Sequence, residues 1–100
     1  MYFVVFATDK PGMQEVRAAN RPPHREYLRN PGKHKVTVRI AGPTLAADGE
    51  TMNGTLLIVE AADAASVRAF LADDPYSRAG IFQSVEVRPW NWGLNNPPNP

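Results

Sequence analysis

Apolar and polar positions along the chain change period several times, and each change marks an element. Tyr2-Phe3-Val4-Val5-Phe6-Ala7 is an unbroken β-branched and aromatic run closed by the turn cluster Thr8-Asp9-Lys10-Pro11-Gly12, which predicts a first strand. Met13–Ala19 and Pro23–Arg29 carry helix formers, with Met13, Val16, Ala19, Tyr27 and Leu28 on roughly one side. Pro22-Pro23 falls between them. A proline inside a helix removes a hydrogen bond and clashes with the preceding turn, so the helix is expected to kink, or to stop and restart, close to His24. Val36, Val38 and Ile40 alternate with Lys35, Thr37 and Arg39, the period of a strand with one wet face, ended by Gly42-Pro43. After an Asp48-Gly49 turn, Thr55–Val59 reads as a third strand, apolar on both faces. Asp63 is a good N-cap for a helix bearing Ala64, Val67, Phe70 and Leu71, which must stop by Asp74 because Pro75 disfavours helical dihedrals before it. Ile81–Trp90 is a fourth strand, with Ile81, Val85 and Val87 facing one way.

The order βαββαβ predicts an α+β, ferredoxin-like subunit with an antiparallel sheet, strands one and three central and both helices on one face. Both predicted central strands are apolar on their two faces, and the helices cover only one. The simplest cover for the other is the sheet of a second copy, so a homodimer with facing sheets is expected.

Composition narrows the classes. One hundred residues fit one domain, read as residues 1–92, followed by a Pro/Asn-rich tail at 93–100 that has no core to bury. No apolar run approaches the ~20 residues of a membrane span, and no basic leader precedes a long apolar stretch, so neither a membrane partner nor a signal peptide is expected and a cytoplasmic location is. Zero cysteines exclude disulfides, thiol catalysis and zinc knuckles, and two histidines make a metal cage improbable. A net charge of +1 supplies no bulk attraction for nucleic acid. An RNA-recognition domain shares the element order but needs stacking aromatics on its third strand, and Thr55–Val59 has none. Arg17, Arg21, Arg25 and Arg29 recur every four residues and, with Glu15 and Glu26 among them, read as a solvated helix face. The glycines form no phosphate-cradling motif, so no cofactor is expected.

His24 is the most suggestive single residue. Arg21 three before it and Tyr27 three after it share its side of the helix, and histidine both takes and gives a proton near neutral pH. The alternative is a half-buried histidine making a capping bond. Asp73-Asp74 sits badly at the negative end of a helix dipole, which either a functional role or a cap for the following turn explains. Trp90 and Trp92 point the same way if the chain is extended and suit an interface or a pocket wall, with a plain core or dimer contact as the default reading.

Taken together, Arg21-Pro22-Pro23-His24-Arg25-Glu26-Tyr27-Leu28, Gly42-Pro43-Thr44, Asp48-Gly49, Met52-Asn53-Gly54-Thr55, Asp74-Pro75-Tyr76, Ala79-Gly80-Ile81-Phe82 and Val87-Arg88-Pro89-Trp90-Asn91-Trp92 resemble the YciI-like (YCII-related) family in order. The resemblance implies a dimeric α+β barrel and an active site built on a His–Asp pair, which falls here on His24 and Asp74. Its enzymatic precedent is dehydrochlorination of a chlorinated hydroxyquinone, and related barrels include muconolactone isomerases. His34 matches no motif and receives no role. The expected function is a cofactor-free lyase or isomerase acting on a small cyclic or aromatic carbonyl or hydroxy compound, with His24 as acid/base and Asp74 fixing its tautomer. Gly42-Pro43-Thr44 would offer a backbone or hydroxyl donor to an oxyanion, Phe82 and Trp90 would wall the pocket, and Arg21 or Tyr27 would orient an anionic or phenolic group. The alternative is a non-catalytic ligand-binding or regulatory dimer using the same cleft.

Overall fold

The structure is a computed structural model and describes residues 1–97. Its elements run β1 (Tyr2–Asp9), α1 (Gln14–Arg29), β2 (Thr37–Leu45), β3 (Met52–Glu60), α2 (Ala64–Ala72), α3 (Pro75–Arg78) and β4 (Phe82–Trp90). The four strands form one antiparallel sheet in the order β2-β3-β1-β4, the ferredoxin-like arrangement, with β1 and β3 central as expected. Alternation sends Phe3, Val5, Leu57 and Val59 to the helical side, where they pack with Val67, Phe70 and Leu71 of α2 in one buried cluster. Phe6 and Leu56 sit opposite each other on the other side, as do Val4 and Ile58. Phe6 is 47% exposed there.

α1 runs without interruption through Pro22 and Pro23, contrary to the expected break. The missing amide hydrogens leave the Ala18 and Ala19 carbonyls without helical partners, and both residues are exposed, so water can serve them. Arg17 and His24, buried on either side of the proline pair, tie the helix to other elements and hold it through the weak stretch.

Register shifts at three places turn side chains away from the face that strict alternation would give them, and the first corrects the strand reading. Val38 lies opposite Val59 but Ile40 lies opposite Ile58, so Arg39 is an extra residue, and Ile40 turns from the helical side to the open face, where it is 44% exposed. Thr44 faces Gly54 and Leu45 faces Met52, which makes Asn53 extra and turns Met52 to the helical side. Thr8 faces Ser84 and Asp9 faces Phe82, so Gln83 is extra and Phe82 turns inward in the same way. β2 also continues through Gly42-Pro43 instead of ending there, because an edge strand tolerates a residue with no N–H to donate. Pro75–Arg78 forms a short helix that the sequence reading did not contain. Gly93–Pro97 carry no helix or strand, and the remainder of the expected tail, 98–100, lies outside the described residues.

Tyr27 shows how α1 is seated. Its ring stacks on Phe70 with centroids 4.9 Å apart, and its hydroxyl donates to the Phe70 carbonyl at 2.6 Å. Burial pushes this phenol from 10.0 up to about 12, reinforced by the charges of Asp73 and Asp74 and opposed by Arg78. A folded-state value above the unfolded one contributes stability that is complete below pH 10.0 and is lost as pH rises toward about 12. Tyr27→Phe is therefore expected to lose about 1 kcal/mol at neutral pH and to flatten the fall in unfolding free energy across the alkaline window. Urea titrations from pH 8 upward check this, and identical alkaline slopes in the two proteins would contradict it. Gly54 is a second constraint: a Cβ there would overlap the Ala7 carbonyl oxygen and lie 2.5 Å from Thr44 Oγ1. Gly54→Ala is expected to cost about 1–3 kcal/mol, lowering the melting temperature by at least about 4 °C, and an unchanged melting curve would refute the constraint.

Candidate functional site

Asp74 ends the turn after α2 and, being followed by proline, opens α3 as its N-cap. Its Oδ1 accepts the Tyr76 amide at 2.9 Å and also the ring Nδ1 of His24 at 2.8 Å. Asp74 is 1% exposed and His24 6%. A carboxylate only accepts, so the hydrogen of neutral His24 sits on Nδ1, and Nε2 is left with its lone pair. The Tyr76 ring stacks on the imidazole at 3.7 Å with an interplanar angle of 8°, fixing its plane. Phe82, brought inward by the irregularity at Gln83, abuts Tyr76 edge-on at 6.2 Å.

One turn and three residues before His24, Arg17 turns the same way down into the sheet. Its guanidinium donates to Asp9 Oδ2 at 2.9 Å, to the Gly54 carbonyl at 2.7 Å and to Thr55 Oγ1 at 2.6 Å, and it lies 4.7 Å from the centre of the Tyr76 ring. At 3% exposure it is a buried charge answered by a carboxylate and two further acceptors.

Between α1 and the β2–β3 edge lies a cavity of about 110 Å³, lined by Arg17, Arg21, His24 and Arg25 on one side and by Ala41–Pro43, Met52, Thr55 and Tyr76 on the others. Leu28 completes its wall. An engineered apolar cavity of about 150 Å³ holds a benzene, so this space is on the scale of a single ring. Arg21 approaches Met52 Sδ at 3.4 Å, on the side to which the irregularity at Asn53 turns that methionine. His24 brings an imidazole to a wall that also carries Arg17, Arg21 and Arg25, an arrangement that suits proton transfer on a ligand that becomes anionic.

The residues expected at the site divide. His24, Arg21 and Pro43 line the cavity, with Asp74 directly behind His24, and Phe82 supports it from behind Tyr76. Tyr27 does not reach it, its hydroxyl being held by Phe70. Pro43 lines the cavity but has no N–H, and Thr44 lies outside the lining and donates its hydroxyl to Asn53 Oδ1 at 2.8 Å, so neither is the oxyanion donor expected there. Trp90 lies opposite Tyr2 at the far end of β4 and does not touch the cavity. The four arginines form the expected solvated face only in part: Arg25 and Arg29 are exposed, whereas Arg17 is buried and Arg21 is half-buried at the cavity, which Arg25 also lines. Arg17, Asp9, Thr55, Arg25 and the ring of Tyr76 were missed. Arg17 had a usable signal, because seven residues are two helical turns and place it on the face of His24. His34 also has a partner, donating from Nε2 to Asp73 Oδ2 at 2.7 Å, and Asp73 is held below the ordinary carboxylate range by this bond and by Arg78. Among the described residues no cluster of ligands suits a metal ion, and no helix is long and apolar enough to cross a membrane.

The chain is similar to several known proteins along most of its length. A solved structure of TftG, the 5-chloro-2-hydroxyhydroquinone dehydrochlorinase from Burkholderia phenoliruptrix, in complex with 2,5-dihydroxybenzoquinone, superposes with a TM-score of 0.80 at 37% identity, covering 97% of this chain and 100% of that one. A structure from Bacteroides thetaiotaomicron shares the fold alone, at 17% identity and a TM-score of 0.55 over 97% of this chain and 95% of its own. An uncharacterized protein of Haemophilus influenzae is 32% identical, and the Escherichia coli protein YciI 30%, each match covering 90% of this chain and 96% of the relative. The YCII-related domain model matches residues 1–91, and the chain belongs to that family.

Proposed function

We propose that this protein is a cofactor-independent enzyme that moves a proton on a small cyclic hydroxy or carbonyl compound, with His24 as acid/base and Asp74 as its partner. The observation that carries the reading is the buried bond between His24 Nδ1 and Asp74, which leaves Nε2 as the basic nitrogen beside a ring-sized cavity edged by Arg21 and Arg25. The 37% identity to a dehydrochlorinase over nearly the whole chain supports an elimination or an isomerisation as the reaction.

The step is balanced within the site. Nε2 takes a proton from a hydroxyl, or from a carbon next to a carbonyl, and the pair freed from that bond moves into the ring as an enolate or phenolate. In an elimination, that pair forms a new double bond while a halide leaves the neighbouring carbon with the electrons of its own bond. In an isomerisation, the imidazolium returns the proton to a different carbon. Asp74 stabilises the imidazolium in either case, and Arg21 or Arg25 faces the oxygen on which negative charge develops. Arg17 is a positioning residue: its charge is spent on Asp9, Gly54 and Thr55, and through Tyr76 it backs the imidazole.

The same reading includes a homodimer. Val4, Phe6, Ile40, Leu56 and Ile58 form an apolar strip on the face the helices leave open, with Trp90 at one end of it. Phe6, Ile40 and Trp90 are 47%, 44% and 37% exposed, and a second sheet of the same kind is the partner that matches them strand for strand.

His24→Ala is expected to lower turnover of 5-chloro-2-hydroxyhydroquinone about 10²- to 10⁴-fold with an unchanged circular dichroism spectrum. Asp74→Asn, which keeps the cap of α3 but offers the ring a donor as readily as an acceptor, is expected to lose at least about tenfold in kcat. Wild-type turnover in His24→Ala would end the assignment. Binding of 2,5-dihydroxybenzoquinone without turnover, indifferent to both substitutions, would favour a ligand-binding module instead. Light scattering at micromolar concentration is expected to give twice the 11.0 kDa chain mass, and Phe6→Glu to shift it toward one chain; a monodisperse wild-type monomer would contradict the facing-sheet dimer.

A further inference from the structure

The ring-sized cavity does not end at its own wall. It shares Arg25, Leu28 and Ala41 with a groove of about 480 Å³ that runs outward between the last turn of α1 and the edge strand β2. Leu28, Pro31, Val36 and Val38 give the groove an apolar strip of lining, and its rim carries Arg25, Arg29 and Arg39. These three cations are not equivalent. Arg39 is engaged by Glu60, its Nε and Nη2 both donating to Oε1. Among the described residues, no carboxylate lies within 4.0 Å of the guanidinium of Arg21, Arg25 or Arg29.

Residues four apart on a helix are surface neighbours, so Arg21, Arg25 and Arg29 form a row of like charges that repel one another. Only Arg17, the first of the series, is neutralised within the fold. The row begins at the cavity with Arg21, passes through Arg25 where cavity and groove meet, and ends in the groove with Arg29. A ring alone would leave the groove unfilled and Arg29 unanswered.

We infer that the substrate is longer than its ring: it carries an apolar chain ending in an anionic oxyacid group, and the groove between α1 and β2 is the subsite that holds this chain, with Arg29 and Arg25 gripping the terminal group. The inference rests on the reading of His24 and its cavity as the reacting centre. The strip formed by Leu28, Pro31, Val36 and Val38 suits the methylenes, and the planar guanidinium fork suits a carboxylate or a phosphate monoester. The row thus serves two purposes along one ligand: its inner end meets charge that develops during reaction, and its outer end meets charge already present on the substrate.

The test compares four probes by calorimetric titration into the full chain: 2,5-dihydroxybenzoquinone, 4-(2,5-dihydroxyphenyl)butanoate, the amide of that acid, and the matching alcohol phosphate. At least one of the two charged probes is expected to bind about tenfold tighter than the amide, and Arg29→Gln to abolish that advantage while leaving 2,5-dihydroxybenzoquinone unchanged. Which charged probe is tighter names the terminal group. Equal affinity for the amide and both charged probes, or an Arg29→Gln loss of the same size for 2,5-dihydroxybenzoquinone, would overturn the subsite. Neither result alters the His24-dependent turnover expected of the cavity, so the two readings fail separately.

Discussion

A single carboxylate oxygen, Oδ1 of Asp74, joins the start of α3 to the middle of α1. It starts α3 by accepting the Tyr76 amide and orients the imidazole by accepting from His24 Nδ1. Because one atom serves both, the geometry of the short helix and the tautomer of the histidine are set together. The helix in turn delivers the Tyr76 ring onto the imidazole face, so the histidine is held at one edge and over its plane by residues two apart in the chain. A buried carboxylate is costly unless its acceptor capacity is used. Here its use is the formation of the site.

The sheet contributes through its departures from regularity. Three extra residues, Arg39, Asn53 and Gln83, each reverse the face to which the following or preceding side chain points. Two of the reversals, at Met52 and Phe82, bring residues to the helical side at the end of the sheet where His24 lies. The third sends Ile40 outward to join Phe6 and Leu56 on the open face. A regular sheet of the same composition would have neither this cleft lining nor this apolar strip.

Much of the fold was legible because strong alternation and punctuation are local: the β1 run, the Asp63 cap, and the stop at Asp74 before Pro75 all reappear in the structure. What period alone could not convey was register, since an extra residue in one strand is defined only by its partner. For this reason Ile40 was assigned to the wrong face and β2 was ended too early at Gly42-Pro43. The proline pair misled in the opposite sense, because local propensity predicts a break that two buried tertiary anchors override. At the candidate site, the family resemblance pointed to His24 and Asp74 as a pair, and the structure brings them into contact, whereas Arg17 lies outside the motifs that carry the resemblance. A surface charge and a buried one look alike in sequence until the carboxylate that answers it, eight residues away on β1, is brought alongside. Tyr27 and Trp90 failed for a simpler reason: a shared helix side or a shared strand does not imply a shared cavity.

The two anchors of α1 have a geometric consequence. Arg17 is bound to β1 and β3, and His24 to the start of α3, and the two lie two helical turns apart on one face. A rod fastened at two points on the same side can neither slide nor roll. The azimuth of every residue between them is therefore determined, and Arg21 is aimed at the cavity, where its guanidinium meets Met52 Sδ. One residue inserted between the anchors would swing them apart by about 100° around the axis, so that only one could remain in place. The span from 17 to 24 thus behaves as a gauge of fixed length, tolerant of changes in side chain and intolerant of any change in count.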